Sequence, residues 1–511
     1  MKARTLMVQG TGSYVGKSML VAALCRIMHQ DGFRVAPFKS QNMALNSFVT
    51  RDGGEMGRSQ VVQAAAAGVE PSVDMNPILL KPEADTRSQV VVLGRPRTTL
   101  DPGAYYRRTP ELLKVAREAL GRLRDQYEVV VIEGAGSPAE INLKDREIVN
   151  MRIAKLARAP VLLVGDIDKG GVFASLVGTL ALLDEKERDI IKGFIINKFR
   201  GEVALLQPGL DHLEKIAHRP VLGVVPYFHG IALPEEDSIS NLGGGGGAPG
   251  GGIEIAVVHV AHISNSTDFE PLQHEEDVRL RYIHEPAEMG EPDLIILPGS
   301  KSTVSDLALL KENGLAGEIV ERARAGTPVV GICGGFQMLG RRIHDPLHVE
   351  SREDSVAGLG LLGVETNFEA EKATSQVRAR VEGDKGLLAG AGGLEVTCYE
   401  IHMGRTTGGG APHPFRVVRG LGGPAGEADY PDGAQDPEGN IIGSYLHGLF
   451  DDLGFRSAFL ANLRRRKGLP ALTRRSLQTG EEAFDKLAEV VRGSLNMEMV
   501  YRICGLEYSG H

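Results

Sequence analysis

Uninterrupted apolar runs punctuate the first half of the chain: TLMVQG, RVAPFK, EVVVIEG, APVLLVGD, KGFIIN and RPVLGVVP. Each has the length of a strand rather than a helix and is rich in Val, Ile or Leu. Between them lie longer stretches in which apolar positions recur every three or four residues. Runs without polar alternation suit strands covered on both faces, so the pattern predicts a parallel α/β sheet. The rhythm restarts with IEIAVVHV, DLIILPGS, TPVVGICGG and, much later, NIIGSYLHG, which predicts a second α/β domain. From Asp452 onward FRSAFLANLRRRKG and EEAFDKLAEVVRGSLNMEMVYRICG read as helices, with Phe484, Leu487, Val490 and Val491 at helical spacing.

The break between the two rhythms is NLGGGGGAPGGG, residues 241–252, which cannot bury apolar surface and reads as a flexible linker. The expected organisation is residues 1–240, the linker 241–252, residues 253–451, and a helical C-terminal segment 452–511. A length of 511 residues is too great for one ordinary core and fits this division. The formal charge of -9, from 57 Lys and Arg against 66 Asp and Glu, argues against a nucleic-acid partner held by a broad basic face. Small anionic ligands remain compatible with it. Four widely separated cysteines, Cys25, Cys333, Cys398 and Cys504, form neither a disulfide framework nor a paired metal-ligand pattern, which fits a reducing cytoplasm. The chain starts MKARTLMVQGTGS, with only a strand-length apolar run, and no stretch reaches the ~18 apolar residues of a membrane span. The expectation is a cytoplasmic protein without a membrane partner.

Two stretches carry chemistry. After the first strand comes GTGSYVGKS, then a helix whose Leu20, Leu24, Ile27 and Met28 share a face and whose Gly32 suits a C-terminal stop. A strand, a glycine loop and a helix turn successive backbone N–H groups toward a phosphate. Gly10, Thr11, Gly12 and Gly16 would form the cradle, Lys17 would reach the terminal phosphates, and Ser18 would offer its hydroxyl to Mg²⁺. The spacing departs from the strict phosphate-loop pattern, because Thr11 stands where the first glycine belongs. Glu133, at the end of the run VVVIE, is the expected metal-ligand carboxylate. Asn197, in FIINKFRG, is placed to read a base; Arg200 occupies the position of the Asp that reads guanine, so ATP is expected rather than GTP. Lys39 suits phosphate or substrate contact and Asp52 suits Mg²⁺ ligation, with solvated loop charges as the open alternative for both. Asp166 and Asp168 either complete the metal shell or cap a turn.

The second stretch is GICGGFQMLG. Gly331, Cys333, Gly335 and Gln337 form G-x-C-x-G-x-Q, a strand-to-helix elbow in which glycines leave room beside a nucleophile. A cysteine there lies at a helix N-terminus, which favours thiolate, and the N–H of Gly334 can face an oxyanion, with Gly299 and Ser300 of LPGS offering a second donor pair. His447, in GSYLHGLF, is the expected base. The alternative for each alone is a buried core thiol and a structural histidine.

The elbow resembles that of the triad-type glutamine amidotransferases, and the N-terminal loop resembles that of dethiobiotin synthetase. With APFKSQNMALNS, PSVDMNPILLKPEADTRSQV, IEGAGSPAEINL, GDIDKGGVFASLVGTLALL, INKFRG, ILPGSKST and YEIHMGRT, the chain from Gln9 to Phe450 resembles the cobyric acid synthase family. The resemblance implies a P-loop parallel-sheet synthetase domain over 1–240 and a flavodoxin-like amidotransferase domain over 253–451. It implies ATP- and glutamine-dependent amidation of the b, d, e and g carboxylates of adenosylcobyrinic acid a,c-diamide; because free ammonia is mostly ammonium at neutral pH, internal transfer of ammonia between the domains is expected. The nucleophile falls on Cys333, the second active-site residue on His447, and glutamine binding on Gln337. Tyr14 replaces an Asp usual in the family's loop, and Leu449 stands where most triad amidotransferases carry Glu, a lack the family shares, so the resemblance implies a working Cys333–His447 dyad and the residue orienting His447 is left unassigned. Glu400 and His402 are open between the glutaminase site and a domain interface. Rival readings are a cobyrinic acid a,c-diamide synthase and, from another class, a P-loop partitioning ATPase. The latter calls for a lysine at position 12, where this chain has Gly12.

Overall fold

The computed structural model describes residues 2–84, 87–228, 252–408, 410–420, 429–470 and 480–508. The Gly-rich linker, apart from Gly252, lies outside the described residues. The chain divides into two compact units. The first comprises Met1–Ala44, Met56–Glu236 and Leu477–His511; the second comprises Leu45–Glu55 and Asp237–Ser476.

In the first unit every apolar run becomes a strand of one six-stranded sheet. Its order is Val221–Pro226, Ile191–Phe199, Val161–Asp166, Arg4–Gly10, Val129–Glu133, Val35–Phe38, and all pairings are parallel. The runs lack polar alternation because both faces are covered. Leu6 and Val8 point into a core shared with the helices Lys17–Gln30, Arg58–Ala66 and Gly480–Ser494, whereas Met7 points into a core shared with Thr109–Gln126, Val172–Leu182 and Val203–Ala217. The expected face of the first helix is fully buried at Leu20, Leu24, Ile27 and Met28, and Gly32 follows it at φ 87°. A smaller four-stranded sheet, Gln41–Met43, Ile78–Ala84, Arg87–Val92 and Arg95–Leu100, belongs to the same unit.

The second unit holds a parallel sheet in the order Val278–Ile283, Ile253–Val258, Leu294–Leu297, Val329–Ile332, Ile441–Ser444, edged by the antiparallel Ala434–Gln435. A second, mostly antiparallel sheet is built on the long strands Glu365–Val381 and Glu395–Thr407, and Leu446–His447 joins its edge. The chain thus changes sheets between Ser444 and Leu446, which delivers His447 to the end of the parallel sheet.

The helical segment from 452 is shared between the units. Helix Leu453–Lys467 buries Phe455 and Phe459 in the core of the second unit, and Asn462 Nδ2 donates to the carbonyls of Leu387 and Ala389 at 2.9 Å. Helix Gly480–Ser494 belongs to the first unit, where Asp485 pairs with Arg26 at 2.7 Å and Arg492 with Asp31 at 2.7 Å. No helix among the described residues is long and apolar enough to cross a membrane.

Candidate active sites

Strand Arg4–Gly10 pairs with both Val129–Glu133 and Val161–Asp166, so the loop after Gly10 and the carboxylate of Glu133 leave the sheet side by side. The loop closes tightly. A methyl group on Gly10 would lie 2.5 Å from Val15 Cγ2, and one on Gly16, which has φ 94°, would lie 2.1 Å from Asn197 Nδ2. Lys17 Nζ folds back onto the carbonyls of Gly12 (2.8 Å) and Gly136 (3.3 Å), and the N–H of Thr11 is held by Val164 O at 2.9 Å. Ser18 Oγ donates to Glu133 Oε1 at 2.9 Å, Lys39 Nζ lies 3.0 Å from the same oxygen, and Gln63 Nε2 donates to Oε2 at 2.5 Å. Asn197 Nδ2 donates to the carbonyl of Val15 at 2.8 Å, while its Oδ1 is buried without a hydrogen-bond partner among the described residues.

Ser18, Lys39 and Glu133 are therefore brought together, and Lys17 precedes Ser18 at the start of helix Lys17–Gln30. Asp52 is not among them. It belongs to the second unit, where its Oδ1 accepts from Thr50 Oγ1 at 2.5 Å. Asp166 Oδ1 accepts the N–H of Asp168, and Asp168 pairs with Arg200 at 2.9 Å. A fully buried ion pair such as Lys39–Glu133 costs desolvation that its attraction repays only in part, so stability alone is a weak reason to retain it. Hydroxyl and carboxylate oxygens form the hard donor set that suits Mg²⁺.

In the second unit the elbow has the backbone that its glycines imply. Cys333 adopts φ 52°, ψ -108°, a conformation that costs a non-glycine residue about 1–3 kcal/mol and is held by its surroundings. A methyl on Gly331 would meet Gly335 C at 2.7 Å, and one on Gly335 would lie 2.1 Å from Leu297 O. Gly335→Ala is thus expected to destabilise the protein by about 1–3 kcal/mol. The check is the denaturant midpoint, with Gly317→Ala, where nothing lies within 4 Å, as a neutral or stabilising control. The position of Gly334 adjoins Ser300, since a methyl there would lie 2.8 Å from Ser300 N. Ser300 is fixed in turn by its Oγ donating to Asp306 Oδ2 at 2.6 Å. Gln337 is buried, its Oε1 accepting from Thr303 and its Nε2 donating to Tyr445 OH.

The residue orienting His447 is Asp268. Its Oδ2 lies 2.6 Å from His447 Nδ1 and its Oδ1 accepts the N–H of Gly448 at 3.0 Å. Burial opposes charge on the ring, but the Asp268 carboxylate, helped by the neighbouring Cys333 thiol, outweighs it and raises the His447 pKa to about 10. His447 Nε2 is buried without completing a hydrogen bond among the described residues, and the Cys333 thiol donates to Ile401 O at 3.4 Å. The aromatic ring of Tyr399 stacks on His447 with centroids 5.2 Å apart and planes at 14°. Leu449 is buried and supplies no acid.

Sequence reasoning missed Asp268, which lies 179 positions before His447 in NSTDFEPL. No spacing rule links the two; only the fold does. Of the two residues left open, Glu400 accepts hydrogen bonds from Ser375 Oγ and Tyr430 OH. His402 bonds Gly404 O through Nδ1 and stacks on Tyr445, and burial pushes its pKa below the ordinary value.

Comparison with known proteins matches each half of the chain to a domain family. Residues 6–240 match the CobQ/CobB/MinD/ParA nucleotide binding domain, and residues 254–455 match the CobB/CobQ-like glutamine amidotransferase domain. Similar full-length relatives are the cobyric acid synthase of Dehalococcoides mccartyi strain CBDB1, 53% identical over 98% of this chain and 99% of the relative, and that of Sorangium cellulosum, 53% identical over 99% of this chain and 100% of the relative. The cobyric acid synthase of Pelotomaculum thermopropionicum is 51% identical over 99% of this chain and 97% of the relative.

Proposed function

The chain belongs to the cobyric acid synthase family, and from that premise we propose how its two sites share an ATP- and glutamine-dependent amidation of the b, d, e and g carboxylates of adenosylcobyrinic acid a,c-diamide. The observation that carries the division of labour is the pairing of a strained Cys333 elbow with the Asp268–His447 pair in one unit and a lysine-bearing phosphate loop beside Glu133 in the other.

A carboxylate resists ammonia because its anion is a poor electrophile. ATP converts it to an acyl phosphate with a good leaving group, and this is the task of the first unit. The loop N–H groups and Lys17 bind the phosphates, Asn197 braces the loop through Val15 and offers its free Oδ1 to the base, and Lys39 stabilises phosphate or acceptor charge. Ser18 and Glu133 would hold Mg²⁺, which supplies charge neutralisation to the phosphates when bound.

In the second unit the Cys333 sulfur, its proton held by His447 Nε2, attacks the side-chain amide carbon of glutamine, which Gln337 helps to bind. The backbone N–H groups of Gly334 and of the Gly299–Ser300 turn face the developing oxyanion, and protonated His447 donates its Nε2 proton to the departing ammonia. Water then releases glutamate from the thioester. Ammonia is mostly protonated at neutral pH and then not nucleophilic, which favours delivery without release to solvent.

The role of Asp268 is open to a pH test. A folded-state pKa of about 10 means that the stability from this pair is fully present below the unfolded value near ~6.5 and is lost as pH rises through about 10. The alkaline limb of glutamine hydrolysis should follow the same ionisation. Asp268→Asn leaves burial as the dominant influence, so the limb is expected to fall by several pH units, to the ordinary imidazole range or below. The measurement is kcat/KM for glutamine against pH; an unmoved limb would remove Asp268 from the mechanism.

A further inference from the structure

Residues Leu45–Glu55 come from the N-terminal part of the sequence, yet they belong to the second unit. Within this segment Ser47–Val49 is a strand, and Thr50 closes the turn after it, its N–H donating to Gly54 O at 2.8 Å and its Oγ1 accepting the Gly54 N–H. Three anchors hold it there. The Ser47 N–H donates to Asn265 Oδ1 at 3.0 Å, Ser266 Oγ donates to Asn46 Oδ1 at 3.2 Å, and Lys372 Nζ pairs with the buried Glu55 at 2.8 Å. Asn265 precedes and Ser266 opens the turn Ser266–Phe269 that carries Asp268, and Asn265 Nδ2 lies 3.5 Å from His447 Nδ1.

The tip of this strap packs on the strand behind both reactive groups. Val49 is fully buried in a cluster with Tyr399 and Ile401, and the Phe48 ring lies against Tyr399 with centroids 5.3 Å apart. Tyr399 is the ring stacked on His447, and Ile401 supplies the carbonyl that receives the Cys333 thiol. One step of packing thus separates Phe48 and Val49 from the imidazole and from the sulfur.

We propose that the strap Leu45–Glu55 is a positioning element for glutamine hydrolysis, in which Phe48 sets the plane of the His447 ring through Tyr399. The inference rests on the reading of Cys333 and His447 given above. It makes the glutaminase site incomplete within the amidotransferase region itself, because one supporting strand comes from far upstream. Along the chain the strap is bracketed by Lys39 and Gln63, which hold the two oxygens of Glu133 in the nucleotide site.

The test uses the full chain and measures glutamine hydrolysis and ammonia-driven amidation in parallel. Phe48→Ala is expected to lower kcat for glutamine hydrolysis by roughly ten- to a hundredfold, the range that a small misplacement of a reacting group produces. KM for glutamine and ammonia-driven amidation should both stay within about twofold, because neither binding nor the second site is touched. Phe48→Tyr, which keeps the ring, should restore the wild-type rate. Phe48→Leu should fall between, and it stands in if the alanine variant does not fold. Wild-type kcat in the alanine and leucine variants, or equal loss of ammonia-driven amidation, overturns the proposal. Cys333→Ala runs alongside. If it still hydrolyses glutamine, the reading of the site fails; if it stops and the Phe48 variants match wild type, only the strap inference fails.

Discussion

Cys333→Ala is expected to abolish glutamine-driven amidation, by at least about a thousandfold, while ammonia-driven amidation at high ammonium and alkaline pH continues near the wild-type rate. The asymmetry follows from where the sulfur stands. It is the group at the elbow, on a backbone of φ 52°, ψ -108°, that Gly331, Gly334 and Gly335 allow to form. An alanine retains that backbone and the packing around Leu297 and Leu339, so the lesion is confined to the missing nucleophile. On the proposed division of labour, activation of the acceptor carboxylate draws on Lys17, Lys39 and Glu133, which belong to the first unit, whereas Cys333 belongs to the second. The check is a side-by-side rate of product formation with glutamine and with ammonium chloride. Equal loss with both nitrogen sources would place the thiol outside this chemistry.

The complementary lesion is Lys17→Ala. Lys17 Nζ rests on the carbonyls of Gly12 (2.8 Å) and Gly136 (3.3 Å). Its removal takes a charge from the phosphates when they carry the most negative charge. The expected loss is about a hundred- to a thousandfold in ATP-dependent amidation from either nitrogen source. Glutamine hydrolysis by Cys333 should persist. Glu133→Ala would also silence amidation, but it removes the ion partner of Lys39 at the same time, which makes Lys17→Ala the cleaner measurement. Loss of glutamine hydrolysis together with amidation would argue against separate chemistry at the two sites.

What the sequence revealed and what it concealed have physical reasons. The six strands of the first sheet were legible because a parallel strand buried on both faces is largely apolar, as Val129–Ile132 is before the strand ends at Glu133. The elbow was legible because glycines at 331 and 335 answer to steric limits that any reader can test by adding a methyl. The phosphate loop was legible from its strand and helix despite Thr11. The long strands Glu365–Val381 and Glu395–Thr407 were not, because one face is partly exposed and the alternation in ETNFEAEKATSQVRARV is interrupted near its middle. The allocation of the C-terminal helices was hidden too: an amphipathic pattern says which face is buried, not against what. Asp268 and the strap at Leu45–Glu55 depend on tertiary contacts with distant positions, and a single sequence carries no mark of such pairings.

The claim at the centre of this account is that nitrogen freed at Cys333 is what the first unit installs on the acceptor. The most direct measurement is mass spectrometry of the corrinoid formed from adenosylcobyrinic acid a,c-diamide, ATP and glutamine labelled with ¹⁵N in its side-chain amide, with unlabelled ammonium present. The account predicts a product in which OH is replaced by NH2 at b, d, e and g, with the label in all four new amides, and no labelled product from Cys333→Ala. Unlabelled amides in the wild-type product, or labelled ones made by the alanine variant, would contradict it.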